Sequence, residues 1–128
     1  MSQNGTAFPG LADARYITLS TFRQNGQTVT TAVWFAADGD RLVVMTGQST
    51  GKVKRLRRNP RVLVARSSAS GKESGPRHDG VVRFLSPSES TTAMQLLDRK
   101  YGIQRWMAKL VMRLRREQNV YLEITPAQ

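Results

Sequence analysis

Two β-rich runs joined through Asn25-Gly26 constrain this chain more than any other feature it has. Tyr16–Phe22 (YITLSTF) alternates apolar and polar residues with the period of a half-buried strand, and Thr28–Phe35 (TVTTAVWF) is equally rich in β-formers. Asn-Gly is a strong hairpin signal because both residues tolerate left-handed backbone. Asp38-Gly39-Asp40 marks a second turn, leading into Leu42–Met45 as a third strand. The expectation is a three-stranded antiparallel meander.

Downstream, a helix is expected to start near Lys52 and to stop before Pro60, since the residue preceding a proline is driven out of helical geometry. Val62–Ala65 reads as a strand, residues 67–79 as a Ser/Gly-rich loop, and Val81–Leu85 as another strand. Ser86-Pro87-Ser88-Glu89 combines an N-cap, a proline at the first helical position and a capping-box glutamate. That helix runs to Lys100-Tyr101 and breaks at Gly102. A further helix, Gln104 to Glu117, would carry Trp106, Met107, Leu110, Val111 and Leu114 as its apolar stripe, and Val120–Ile124 is a final strand. The order β-β-β-α-β-β-α-α-β makes a mainly β (α+β) chain with strands enough to close a small barrel and few helices to cover it. The apolar seam left over favours a symmetric dimer. Residues 1–10 read as a loose lead-in and Leu11–Ala14 as a helical turn. With no repeats and no linker, residues 1–128 form one domain.

Charge narrows the partners. The chain carries a net +11, and no Asp or Glu falls between Asp40 and Glu73, an interval holding Lys52, Lys54, Arg55, Arg57, Arg58, Arg61 and Arg66. A field of one sign concentrates anions: nucleic acid, an acidic lipid surface or a small polyanionic cofactor. Nucleic acid is disfavoured, because no DNA- or RNA-reading motif is present and few aromatics interleave with the basic residues. The absence of cysteine excludes disulfides, thiolate metal sites and cysteine nucleophiles. No metal-ligand set exists. No segment is long and apolar enough to span a membrane, and MSQNGTAFPG lacks a signal-peptide core, so a cytoplasmic protein is expected. The single histidine, His78, falls in the predicted loop and is not expected to be catalytic. No acidic pair or nucleophile elbow supports hydrolysis.

Met45–Val62 (MTGQSTGKVKRLRRNPRV) carries the chemistry. Gly47, Ser49, Thr50 and Gly51 allow backbone close to a ligand, and Thr50 can cap the helix. Lys52, Lys54 and Arg55 then fall in its first turn, where cations oppose the helix dipole unless an anion sits among them. The stretch predicts a phosphate seat; it also reads as an ordinary amphipathic helix with a solvated basic face. It is neither a Walker loop nor a Gly-x-Gly-x-x-Gly fingerprint.

RYITLSTFRQNGQTVTTAVWF, STGKVKRLRRNPRV and the late KYG and YLEITP, in that order, resemble the split β-barrel flavin and deazaflavin oxidoreductases. That FMN-binding-like group includes pyridoxamine-phosphate oxidase-like proteins and an actinobacterial branch dependent on coenzyme F420. The resemblance covers Arg15 to Pro126. It implies a split β-barrel with helices at the barrel ends, a homodimer, and a cofactor at the subunit interface. By position, Thr31, Ala32, Val33 and Trp34 would face the tricyclic ring, with Thr46 at the end of the next strand. Ser49, Thr50, Gly51 and Lys52 would seat the phosphate, with Lys54 or Arg55 as an auxiliary cation. Val33 and Trp34 also read simply as core.

FMN-binding members commonly carry an arginine directly before the lysine, where this chain has Gly51; the departure favours F420, with its extended anionic tail, over FMN. The resemblance implies hydride transfer between reduced F420 and a small organic acceptor such as a conjugated molecule or quinone. An FMN- or haem-binding protein of the same fold, without F420 turnover, is the alternative. Tyr101 reads either as a proton donor or substrate contact, or as a partly buried ring with its hydroxyl at the surface.

Overall fold

Trp34 divides what reads as one strand into two that part company completely. The computed structural model describes residues 8–48, 50–102 and 119–127. Its elements are β1 (Tyr16–Phe22), β2 (Thr28–Val33), β3 (Phe35–Asp38), β4 (Arg41–Gly47), α1 (Gly51–Arg58), β5 (Arg61–Ser67), β6 (His78–Phe84), α2 (Pro87–Tyr101) and β7 (Asn119–Pro126). They form one antiparallel sheet in the order β2-β1-β5-β6-β7-β4-β3. Consecutive strands β2 and β3 therefore hold opposite edges of a seven-stranded sheet. A single residue separates Val33 from Phe35, so the two edges meet within about 7 Å there, and the sheet must curl to bring them together. This is the split β-barrel that the resemblance implied.

The expected meander is corrected at this point. β1 and β2 pair from Ile17↔Val33 to Phe22↔Thr28, but β3 pairs with β4 from Phe35↔Val44 to Asp38↔Arg41, and β4 continues onto β7. Inward–outward alternation runs unbroken through the crossing, since Val33 and Phe35 both enter the interior cluster while Trp34 packs outside it. Only the hydrogen-bonding partner changes, and local sequence carries no mark of that. The hairpin turn is as expected, with Gly26 at φ 87° and the Asn25 side chain accepting from the Gln27 amide at 3.0 Å.

Two apolar clusters organise the molecule. The barrel interior holds Ile17, Leu19, Val33, Phe35, Leu42, Val44, Val62, Val64, Leu122 and Ile124, closed on one side by Leu56 of α1. The outer cluster packs Ala93, Leu97 and Tyr101 of α2 against Ala36, Val43 and Tyr121. Phe8, Leu11 and Ala14 also belong to the interior, so the lead-in is anchored from Phe8 onward. Leu11–Ala14 is a pair of tight turns, with bonds from Leu11 N–H to the Phe8 carbonyl and from Ala14 N–H to the Leu11 carbonyl, rather than a helical turn. His78 opens β6 opposite Val64 instead of lying in the preceding loop. The helix expected at Gln104–Glu117 lies outside the described residues. Among those residues no helix is long and apolar enough to cross a membrane.

Candidate anion-binding site

The structure builds the predicted loop into a helix entrance. Thr50 caps α1: its hydroxyl accepts from the Val53 amide at 3.4 Å and donates to the Gly47 carbonyl at 2.9 Å. The first-turn amides of Gly51 and Lys52 have no partner within the helix, as in any helix start. Val53 and Leu56 turn inward, and α1 ends as Asn59 caps it before Pro60. No acidic residue occupies the first turn, while Arg55, Arg57 and Arg58 fill the last. The last-turn cations suit the dipole; Lys52 does not.

Lys52 is half-buried, and desolvation followed by the nearby Arg55 charge lowers its pKa below the usual lysine value. Three unfavourable terms thus meet on one ammonium: lost hydration, a like charge and the positive end of a helix. A bound anion relieves all of them.

Arg55 lies against Gly51. A Cβ at residue 51 would meet Arg55 Nη1 at 2.9 Å, closer than such atoms pack. The guanidinium therefore lies back over the helix start, in the space that a side chain at 51 would take. Thr21 of β1 holds it there, accepting from Arg55 Nε at 2.6 Å. A guanidinium from one turn further on thus lies beside Gly51. Beside it opens a cavity of about 390 Å³ lined by Arg23, Gln24, Asn25, Arg55 and Arg58. Arg58 is fixed by donating to the Phe22 carbonyl at 3.0 Å. No carboxylate lines this cavity. Arg23 and Arg58 were not named as site residues from the sequence; the signals available were the place of Arg23 beside the hairpin turn and the i, i+3 spacing of Arg55 and Arg58 on one helix face.

The remaining expected residues are dispersed. Thr31 is exposed and Ala32 half-buried on edge strand β2, on alternate faces. Val33 is core, 6% exposed. Trp34 stacks on Tyr101 with centroids 4.8 Å apart and planes 18° from parallel. Thr46 is buried beneath the loop, and Lys54 is exposed. Ser49 lies outside the described residues. The β2 positions connect to the helix entrance through β1, whose Thr21 pairs with Val29 and anchors Arg55.

Tyr101 departs from both expectations. It is 4% exposed, and its hydroxyl accepts from the Phe35 amide at 3.0 Å, with the Arg15 carbonyl at 2.7 Å and the Phe35 carbonyl at 3.0 Å as its acceptors. Burial pushes its pKa up to about 12. A phenol so held is a pin for the β2–β3 crossing, neither a proton donor nor a surface group. Among the described residues no cluster of three or more His, Asp or Glu could hold a metal.

A profile of the pyridoxamine 5'-phosphate oxidase family matches residues 6–128. No curated protein matches the chain in sequence. Among solved structures it is similar to an F420 reductase (18% identity, TM-score 0.63, covering 100% of this chain and 96% of the other). It is also similar to an FAD-binding protein from Mesorhizobium loti (20%, 0.63, 92% and 83%) and to a haem storage protein from Vibrio cholerae (13%, 0.68, 91% and 84%). At these identities the likeness shows the fold.

Proposed function

The chain belongs to the pyridoxamine 5'-phosphate oxidase family, and from that premise we propose that it is an oxidoreductase using coenzyme F420 to reduce a small organic acceptor. The observation that carries the proposal is the cationic helix entrance: Lys52 half-buried at the positive end of α1, with Arg55 folded over Gly51 and no acid to balance either. These residues fit a phosphate, and the adjoining arginine-lined cavity fits further negative charge on the same molecule. The F420 reductase of similar fold supports the choice of cofactor.

When bound, F420 supplies hydride, which leaves positioning and electrostatics to the protein. Lys52 and Arg55 would hold the phosphate, Thr50 would fix the loop that presents it, and the open edge of β2 at Thr31 and Ala32, whose side chains point to opposite faces, would border the ring. Trp34, braced by Tyr101, sets where that edge ends. β2 is an edge strand among the described residues, and a second copy of the chain would cover it and complete the site as a homodimer.

Titration of the purified protein into F420 should change the cofactor's fluorescence with micromolar affinity. Lys52→Ala should weaken binding by roughly 1.5–3 kcal/mol, the worth of a charge-assisted bond. An absorption spectrum of fresh protein showing retained flavin or a Soret band, with no F420 binding, would contradict the assignment and leave the fold untouched.

A further inference from the structure

A second cavity, of about 360 Å³, lies between the N-terminal turns, the edge strand β3 and the C-terminal half of α2. It is lined by Ala12, Asp13, Ala36, Ala37, Leu96, Arg99 and Lys100, and shares no residue with the arginine-lined cavity at α1. The lining is four apolar side chains, two cations and one acid. That acid is spoken for: Asp13 is bonded to Arg66 at 2.7 Å. Lys100 Nζ is closed off from solvent, rests 3.4 Å from the centre of the Phe35 ring, and has no hydrogen-bond acceptor among the described residues. Arg99 makes no ion pair among them either.

A buried ammonium without an acceptor is costly, and a ring face offsets only part of the lost hydration. The groups around it do not balance it: Arg15 adds like charge, Asp13 supplies counter-charge but is paired with Arg66, and the phenol of Tyr101 is bonded to backbone. β3 brings no acid, since its Asp38 is bonded to Arg41 at 2.8 Å. Lys100 lines the cavity and carries its ammonium on a flexible four-carbon stem. We infer that this cavity is a binding site for a small organic monocarboxylate, its acid group taken by Lys100 and Arg99 and its apolar body by Ala12, Ala36, Ala37 and Leu96. The volume sits at the low end of small-molecule pockets, about 300–1,000 Å³, so one short-chain acid fits and an extended polyanion does not.

Hexanoate is the probe, with hexanamide and inorganic phosphate as controls. Isothermal titration and the NMR signal of reductively methylated Lys100 report on the wild-type protein. Hexanoate is expected to bind saturably at or below about 1 mM, to raise the titration midpoint of Lys100, and to bind at least about tenfold better than hexanamide. Lys100→Met should lose about tenfold or more of that affinity, while F420 at saturation should leave it unchanged. If Lys100→Met does not fold, the methyl-lysine signal decides alone. Absence of saturable binding, an unmoved Lys100 signal, or equal affinity for hexanamide would overturn the site. Equal binding of phosphate would too, by showing an adventitious ion only. Because the probe is not F420, this result is separable from the failure or success of the cofactor assignment.

Discussion

The two described helices are built on opposite principles. α2 follows every rule of helix design: Ser86 accepts from the Glu89 amide at 3.3 Å, Glu89 accepts from the Ser86 amide at 2.9 Å, and proline opens the first turn. An acid sits at its start and Arg99 and Lys100 at its end, as the dipole prefers. Glu89 also receives Arg83 at 2.8 Å, and Arg83 and Arg41 share Glu123, so the cap is tied into β4, β6 and β7. α1 keeps its N-cap and its buried Val53 and Leu56, yet puts Lys52 at the positive end and has no acid in its first turn. α1 breaks at its start the local rules that α2 keeps, the pattern expected of a helix entrance proposed to bind an anion.

The largest effects should come from packing and should not distinguish the helices. Leu97→Ala in α2 and Leu56→Ala in α1 each empty a fully buried position, and each should cost about 2–5 kcal/mol in denaturant unfolding. A markedly smaller loss at Leu56 would mean that α1 is a surface appendage rather than a barrel cover. Tyr101→Phe should cost about 1–3 kcal/mol, because the Phe35 amide is left without its acceptor inside the fold. If Tyr101 were a proton donor instead, the variant would keep its stability and lose turnover.

Cap removal separates the helices further. Ser86→Ala and Thr50→Ala should each lose about 1 kcal/mol of stability, but only Thr50→Ala should also weaken anion binding. Acid should act on α2 alone. Hydrogen bonding from Arg83, then from Ser86, holds the Glu89 carboxyl down to about 2. A depressed carboxylate stabilises above its unfolded pKa, near 4.5, and that contribution disappears as pH falls towards 2. Amide exchange in the first turn of α2 should therefore accelerate through that window. In Arg83→Ala the acceleration should begin at higher pH.

Much of this architecture was legible in the sequence, and the exceptions share a cause. β1, the Thr50 and Ser86 caps and the stop at Pro60 are local signals, set by alternation, side-chain hydrogen bonds and proline sterics, and all stand where expected. The parting of β2 from β3 at Trp34 was hidden because alternation continues through it; only closure of the sheet, a property of the whole chain, decides the partner. The cationic cluster proposed as a phosphate seat was half visible. Thr50, Gly51 and Lys52 could be placed from loop chemistry, but Arg23 and Arg58 join the site only when the hairpin folds against α1. Gly51 looked like a lost ligand, and the fold lays the Arg55 guanidinium against it from the next turn. The inner pin at Tyr101 needed hydrogen-bond partners 66 residues away in sequence, the amide and carbonyl of Phe35.

If α1 gives up stability to bind an anion, Lys52→Glu shows it in one protein with two readings. Thermal unfolding is measured without ligand and with saturating F420. An acid at the helix start, beside Arg55, should stabilise the ligand-free protein by roughly 0.3–1 kcal/mol, while the stabilisation conferred by F420 on the wild type should vanish. A variant less stable than the wild type without ligand, and still stabilised by F420, would contradict the account.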